Sequence, residues 1–129
     1  SQVGHDIVEK LHWAYREDMY KTWPTRPEID IIGRTKEGDW LCNEGRALSL
    51  QNAFEKRGFQ VELSKTYPMH PSTTAFRHAS SYPDQTLCLE IRRDILMKEF
   101  IPFRVLEVDQ VMISNIAECI GMDFLETNE

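Results

Sequence analysis

Apolar residues recur at helical spacing near the start of the chain: Ile7, Val8, Leu11, Tyr15 and Met19 share one side of a helix over residues 5–23. Pro24 and Pro27 stop it, since the residue before a proline is pushed out of the helical region, and 23–27 reads as a linker. "EIDIIG" (28–33) is short, β-branched and closed by glycine, which predicts a strand. After the polar "RTKEGDW", Asn43 is placed to cap a helix running to Arg57, with Ala47, Leu50 and Phe54 inward and Gly58 at the position that favours glycine. "FQVELS" (59–64) then alternates, Phe59, Val61 and Leu63 against Gln60 and Glu62, as a half-buried strand does. Strand, helix and strand in this order form a βαβ unit with parallel strands and a right-handed crossover.

Periodicity then fails from 65 to 84, a stretch holding Tyr67, His70, Arg77, His78, Tyr82 and three prolines. It reads as a long loop, and loops above about 12–15 residues in a compact domain are usually functional or disordered. "TLCLEIRRDIL" (86–96) restores a strand, with Leu87, Leu89 and Ile91 on one face and Cys88, Glu90 and Arg92 on the other. Val105, Val108, Met112, Ile116 and Cys119 predict a helix over 104–120, and 121–129 reads as a tail. The expected fold class is α/β: a single domain, a three-layer sandwich whose mixed, partly parallel sheet is flanked by helices. Ligands of such sheets bind beyond the carboxyl ends of the strands, where the 65–84 segment and the polar end of "LCLEIRR" both fall.

Composition narrows the classes. The 129 residues, 41% hydrophobic and 28% charged, suit one domain with a real core. A net charge of −6 disfavours nucleic acid, whose phosphates need an excess of lysine and arginine. No apolar run approaches the roughly 20 residues of a membrane span. The first residues lack the basic start and apolar middle of a signal peptide. Cys42, Cys88 and Cys119, odd in number and widely spaced, point to a reducing cytoplasm. The chain opens at Ser1 without methionine, as a processed chain or a portion of a longer one would.

Glu90 is the leading candidate for chemistry, because glutamate is depleted in strands and a buried carboxylate needs a partner. It reads either as a strand residue ion-paired with Arg92 or as a general base beside an arginine that holds an anion. His70, Arg77 and His78 stand nearby in sequence. His5, Glu9 and His12 lie at i, i+4 and i+7, a spacing that could serve zinc, but Arg16 continues the same stripe and the polar face of a surface helix explains it as well. The cysteines read as buried structural thiols. There is no phosphate-binding glycine loop and no nucleophile elbow.

"EIDIIGRTKEG", "FEKRGFQVELSKTYP" and "QTLCLEIRRDILMKE" together resemble the C-terminal half of the N-formylglutamate amidohydrolase family, over residues 28–120. Glu90, Arg93 and Met97 fall on the glutamate, arginine and methionine of that family's segment Q-I-E-I-N-R-x-L-Y-M-D-E, and Phe76-Arg77-His78 is similar to its Thr-Arg-His. The family's Pro-Tyr is reversed here as Tyr67-Pro68, and the glycine pair that follows it is replaced by Met69-His70-Pro71. The resemblance implies a phosphorylase/hydrolase-like α/β fold and zinc-dependent hydrolysis of an N-acyl acidic amino acid such as N-formylglutamate. It implies Glu90 as the catalytic base and Arg77, Arg93 and His78 as substrate-binding residues. The family's zinc ligands come from an N-terminal half, for which residues 1–27 offer one helix and a linker, so the ligands are not identified in this chain. Three expectations follow: an amidohydrolase completed by a missing N-terminal segment or a homo-oligomer, a hydrolase with a metal site rebuilt from His70, His78 or the first helix, or a non-catalytic α/β domain that binds a small anionic molecule or a protein.

Overall fold

A computed structural model describes residues 25–99 and 107–128 of the chain. Two compact units are present, and nearly all of the described residues belong to the one formed by Arg26–Phe100 and Leu106–Glu129. The helix expected over 5–23, with its His5, Glu9 and His12 stripe, lies outside the described residues.

The described fold is α/β, built on three strands: β1 (Ile29–Ile32), β2 (Val61–Leu63) and β3 (Cys88–Ile91). Their order is β2-β1-β3. β1 runs parallel to β2 and antiparallel to β3, so the sheet is mixed. Helix α1 (Glu44–Lys56) forms the crossover from β1 to β2. It starts where expected: the Asn43 side chain accepts the Arg46 N–H at 3.0 Å, satisfying one of the free donors of the first turn. Gly58, with φ +89°, ends it in the left-handed region.

The register sorts the sheet into two chemically different faces. Ile29 and Ile31 pair with Val61 and Leu63 on one side and with Ile91 and Leu89 on the other. This face packs on Ala47, Leu50 and Phe54 of α1 and on Ile116 and Cys119 of α3 (Gln110–Asn128). On the opposite face Asp30 stands in register with Glu62 and Glu90, and Ile32 with Cys88. There Ile32 joins Cys42, Met69 and Ala79 in a second, smaller cluster. At the end of β1 the chain passes close to Trp40: a Cβ on Gly33 would stand 2.7 Å from the indole ring, so glycine is required there.

Two expectations are corrected. The 65–84 segment is not one loop, because residues Thr74–Ser81 form helix α2, whose Thr73 hydroxyl caps it by accepting the Phe76 N–H. The last helix begins at Gln110 rather than 104 and runs through the expected tail to Asn128. Asp109 sets that start: its carboxylate accepts the Met112 N–H at 3.0 Å. Val108, expected on the helix, instead forms an isolated antiparallel bridge with Met97.

Candidate functional site

The polar face of the sheet is organised by the turn that follows β2. Ser64 adopts φ +53°, a costly conformation for a non-glycine residue, of order 1–3 kcal/mol. Its hydroxyl offsets this by accepting the Gly33 and Arg34 N–H groups at 2.9 and 3.0 Å. The next two N–H groups, of Lys65 and Thr66, are taken by the two carboxylate oxygens of Asp30, at 3.2 and 2.6 Å. Met69 N–H then bonds the Arg34 carbonyl at 2.8 Å. Asp30 is 1% exposed, and these bonds explain how a carboxylate is tolerated inside a strand of isoleucines. The segment 64–69 is therefore tied down at both ends, and Tyr67 between them reaches over β3.

Tyr67 donates its hydroxyl to Glu90 Oε1. That bond, then burial, then the Glu90 charge push the phenol up to about 12. The ion pair between Glu90 and Arg92 expected from sequence is not formed. Arg92 instead bonds Asp94 at 2.7 Å and the Arg26 carbonyl at 2.8 Å, because the chain leaves the strand after Ile91 and enters a tight turn, Arg93–Leu96.

Glu90 lines a cleft of about 220 Å³ together with Arg26, Asp30, Thr66, Arg92 and Arg93. Arg26 and Arg93 are exposed, and among the described residues neither forms an ion pair. A rim of guanidinium groups around a carboxylate floor can hold a small anion and present it to a proton acceptor. Arg77 and His78, expected as substrate-binding residues, lie exposed on α2 and are not among the residues lining this cleft. His78 instead lines a groove with Tyr82, Thr86 and Leu87. His70 is held near Ser72, its Nδ1 2.7 Å from the serine Oγ.

Glu90 and Arg93 were thus both visible in sequence and share a cleft. Tyr67 was visible only as a loop aromatic, and Arg26 only as part of a proline linker. Asp30 carried a readable signal, an acid in the middle of an apolar strand.

The described residues contain no cluster of three or more histidine, cysteine or acidic side chains able to hold a metal ion. The zinc ligands that the resemblance implies are thus not found among the described residues. Cys42 and Cys119 are buried and Cys88 is half-buried. Burial raises all three thiols, and Glu90 and Asp30 raise Cys88 further, so none has the character of an activated nucleophile. No protein-family model, curated protein or solved structure matches the chain.

Proposed function

We propose that the cleft takes an N-acyl acidic amino acid, with N-formylglutamate as its simplest member, and that the chain is a metal-dependent amidohydrolase of the type that residues 28–120 resemble, or a portion of one. The observation that carries this is the meeting of Glu90 and Arg93 in one cleft with Arg26. These are the two residues that fall on that family's glutamate and arginine. Arg26 and Arg93 hold the carboxylates of the amino acid. Glu90 accepts a proton from the attacking water as its oxygen adds to the acyl carbon, and returns that proton to the leaving amine. The finer architecture belongs to the same reading: a three-layer, hydrolase-like sandwich, working in a reducing cytoplasm that keeps three free cysteines.

A second reading, a domain that binds such an anion without cleaving it, is favoured by one feature. Glu90 Oε1 is already engaged by the Tyr67 hydroxyl, as in a carboxylate held in place rather than one free to take a proton. Calorimetry with N-formylglutamate, together with an assay for released formate, separates the two. Formate release that falls at least a hundredfold in Glu90→Gln supports hydrolysis. Binding without release supports the second reading. Absence of both binding and release overturns both.

A further inference from the structure

A second cavity, of about 360 Å³, shares no lining residue with the charged cleft and is lined by Ile32, Tyr67, Pro68, Met69, Ala75 and Cys88, with His70 and Thr73 as its polar members. The same two strands and the same segment build both. On β3, Glu90 faces the cleft and Cys88 the cavity; on β1, Asp30 faces the cleft and Ile32 the cavity. Residues two apart on a strand share a face about 7 Å apart, so the two chambers lie side by side. Tyr67 links them: it is a lining residue of the apolar cavity, and its hydroxyl bonds Glu90 of the cleft. The chambers differ sharply in chemistry, one rimmed by arginines and the other walled mainly by carbon.

We propose that these chambers form one bipartite site and that its ligand is an N-acyl acidic amino acid whose acyl group is a hydrocarbon chain rather than formyl. This rests on the reading of the charged cleft given above and specifies what the cleft's ligand carries. The charged end of the ligand lies against Arg26 and Arg93, its amide beside Glu90 and Tyr67, and its acyl chain enters the cavity over Ile32, Met69 and Cys88. Size argues for this. A formyl group is little larger than a water molecule, whose share of liquid volume is about 30 Å³, and would leave a cavity of about 360 Å³ nearly unused. Methionine among the lining residues suits a flexible chain, because its unbranched thioether adapts to irregular apolar shapes.

The test compares N-hexanoyl-L-glutamate with N-formyl-L-glutamate by calorimetry on the full chain. A fully buried methylene is worth about fourfold in affinity, so even partial burial of the longer chain gives a gain on the order of tenfold or more. Ala75→Leu, which narrows the cavity, should abolish that gain and leave N-formylglutamate binding within about twofold. A readout that needs no variant uses Cys88 as a probe, since Cys42 and Cys119 are buried. N-Hexanoylglutamate should slow its alkylation by N-ethylmaleimide at least fivefold, and N-formylglutamate at equal occupancy should not. Equal affinity for the two ligands, or a gain that survives in folded Ala75→Leu with Cys88 unprotected, overturns the bipartite site and leaves the charged cleft standing. If neither ligand binds, the reading of the cleft fails and this inference falls with it.

Discussion

The Tyr67 hydroxyl is held by the Glu90 carboxylate. The phenol must keep its proton to donate, and the carboxylate makes losing it harder, which is why Tyr67 is pushed up to about 12 from an ordinary value near 10. A group whose pKa is raised on folding contributes stability in full below its unfolded value. That contribution drains away as pH rises through the folded value. The stabilising effect of the Tyr67 hydroxyl is therefore complete below about pH 10 and lost by about pH 12. Tyr67 is 40% exposed, so water competes for the bond and its worth is about 1 kcal/mol, under the usual range for a bond to a charged acceptor. Tyr67→Phe should lower the thermal midpoint at pH 8 by a few degrees. Its melting curve should converge on that of the unaltered protein between pH 10 and 12. A difference that stays constant across that interval means the hydroxyl does not bond Glu90 in solution. The same bond has a functional side, because it fixes the orientation of the Glu90 carboxylate in the cleft.

Among the elements, the turn and short segment 64–69 matter most to the site, and Asp30 is what anchors them. Removing its carboxylate leaves the Lys65 and Thr66 N–H groups without their acceptor. Bonds to a charged group contribute about 1.5–3 kcal/mol each, so Asp30→Ala should cost about 3 kcal/mol or more. Urea unfolding measures this through the midpoint, and a loss below 1 kcal/mol would show that the segment is held mainly by Ser64 and Met69. Why such a segment escapes a reading of the sequence is physical. The strands and α1 were legible because their apolar periods match a buried face: Ala47, Leu50 and Phe54 are all buried as their spacing predicts. Helix α2 has one buried residue, Ala79, and stands between prolines, so its eight residues are too few for an apolar period to register. The start of α3 is hidden in the sequence because Val105, Val108 and Met112 continue a helical spacing across Asp109, whereas the Asp109 cap decides the boundary. The contact between Tyr67 and Glu90 joins residues 23 apart through a turn that no local pattern announces.

For the molecule as a whole, the sign of the charge poses a problem that the cleft has to solve. The chain carries a net charge of −6, yet the proposed ligand is an anion. Two electrostatic effects therefore oppose each other: repulsion from the whole protein and attraction from Arg26 and Arg93 at the cleft. Their ranges differ. At physiological ionic strength the screening length is about 8 Å, so most of the protein's charge is hidden from a ligand in the cleft. A guanidinium in contact with a carboxylate still acts. Both arginines are exposed, however, and each contact is worth only about 0.2–1 kcal/mol and is itself weakened by salt. Contact attraction should dominate from about 0.1 M salt, where the screening length is about 10 Å. Raising salt from there to 0.5 M should then weaken N-formylglutamate binding about fivefold, the equivalent of roughly 1 kcal/mol. Arg93→Ala should both weaken binding and flatten that dependence, because one of the two screened contacts is gone. Titrations in a salt series on both proteins measure the slopes directly. Affinity that rises with salt would mean that long-range repulsion governs the encounter and that the arginines do not hold the ligand's carboxylates. A slope unchanged in Arg93→Ala would place the anion elsewhere on the surface. The bipartite site adds a constraint to the same series. Hydrocarbon burial is not weakened by salt, so the affinity ratio between N-hexanoylglutamate and N-formylglutamate should stay constant while both affinities fall.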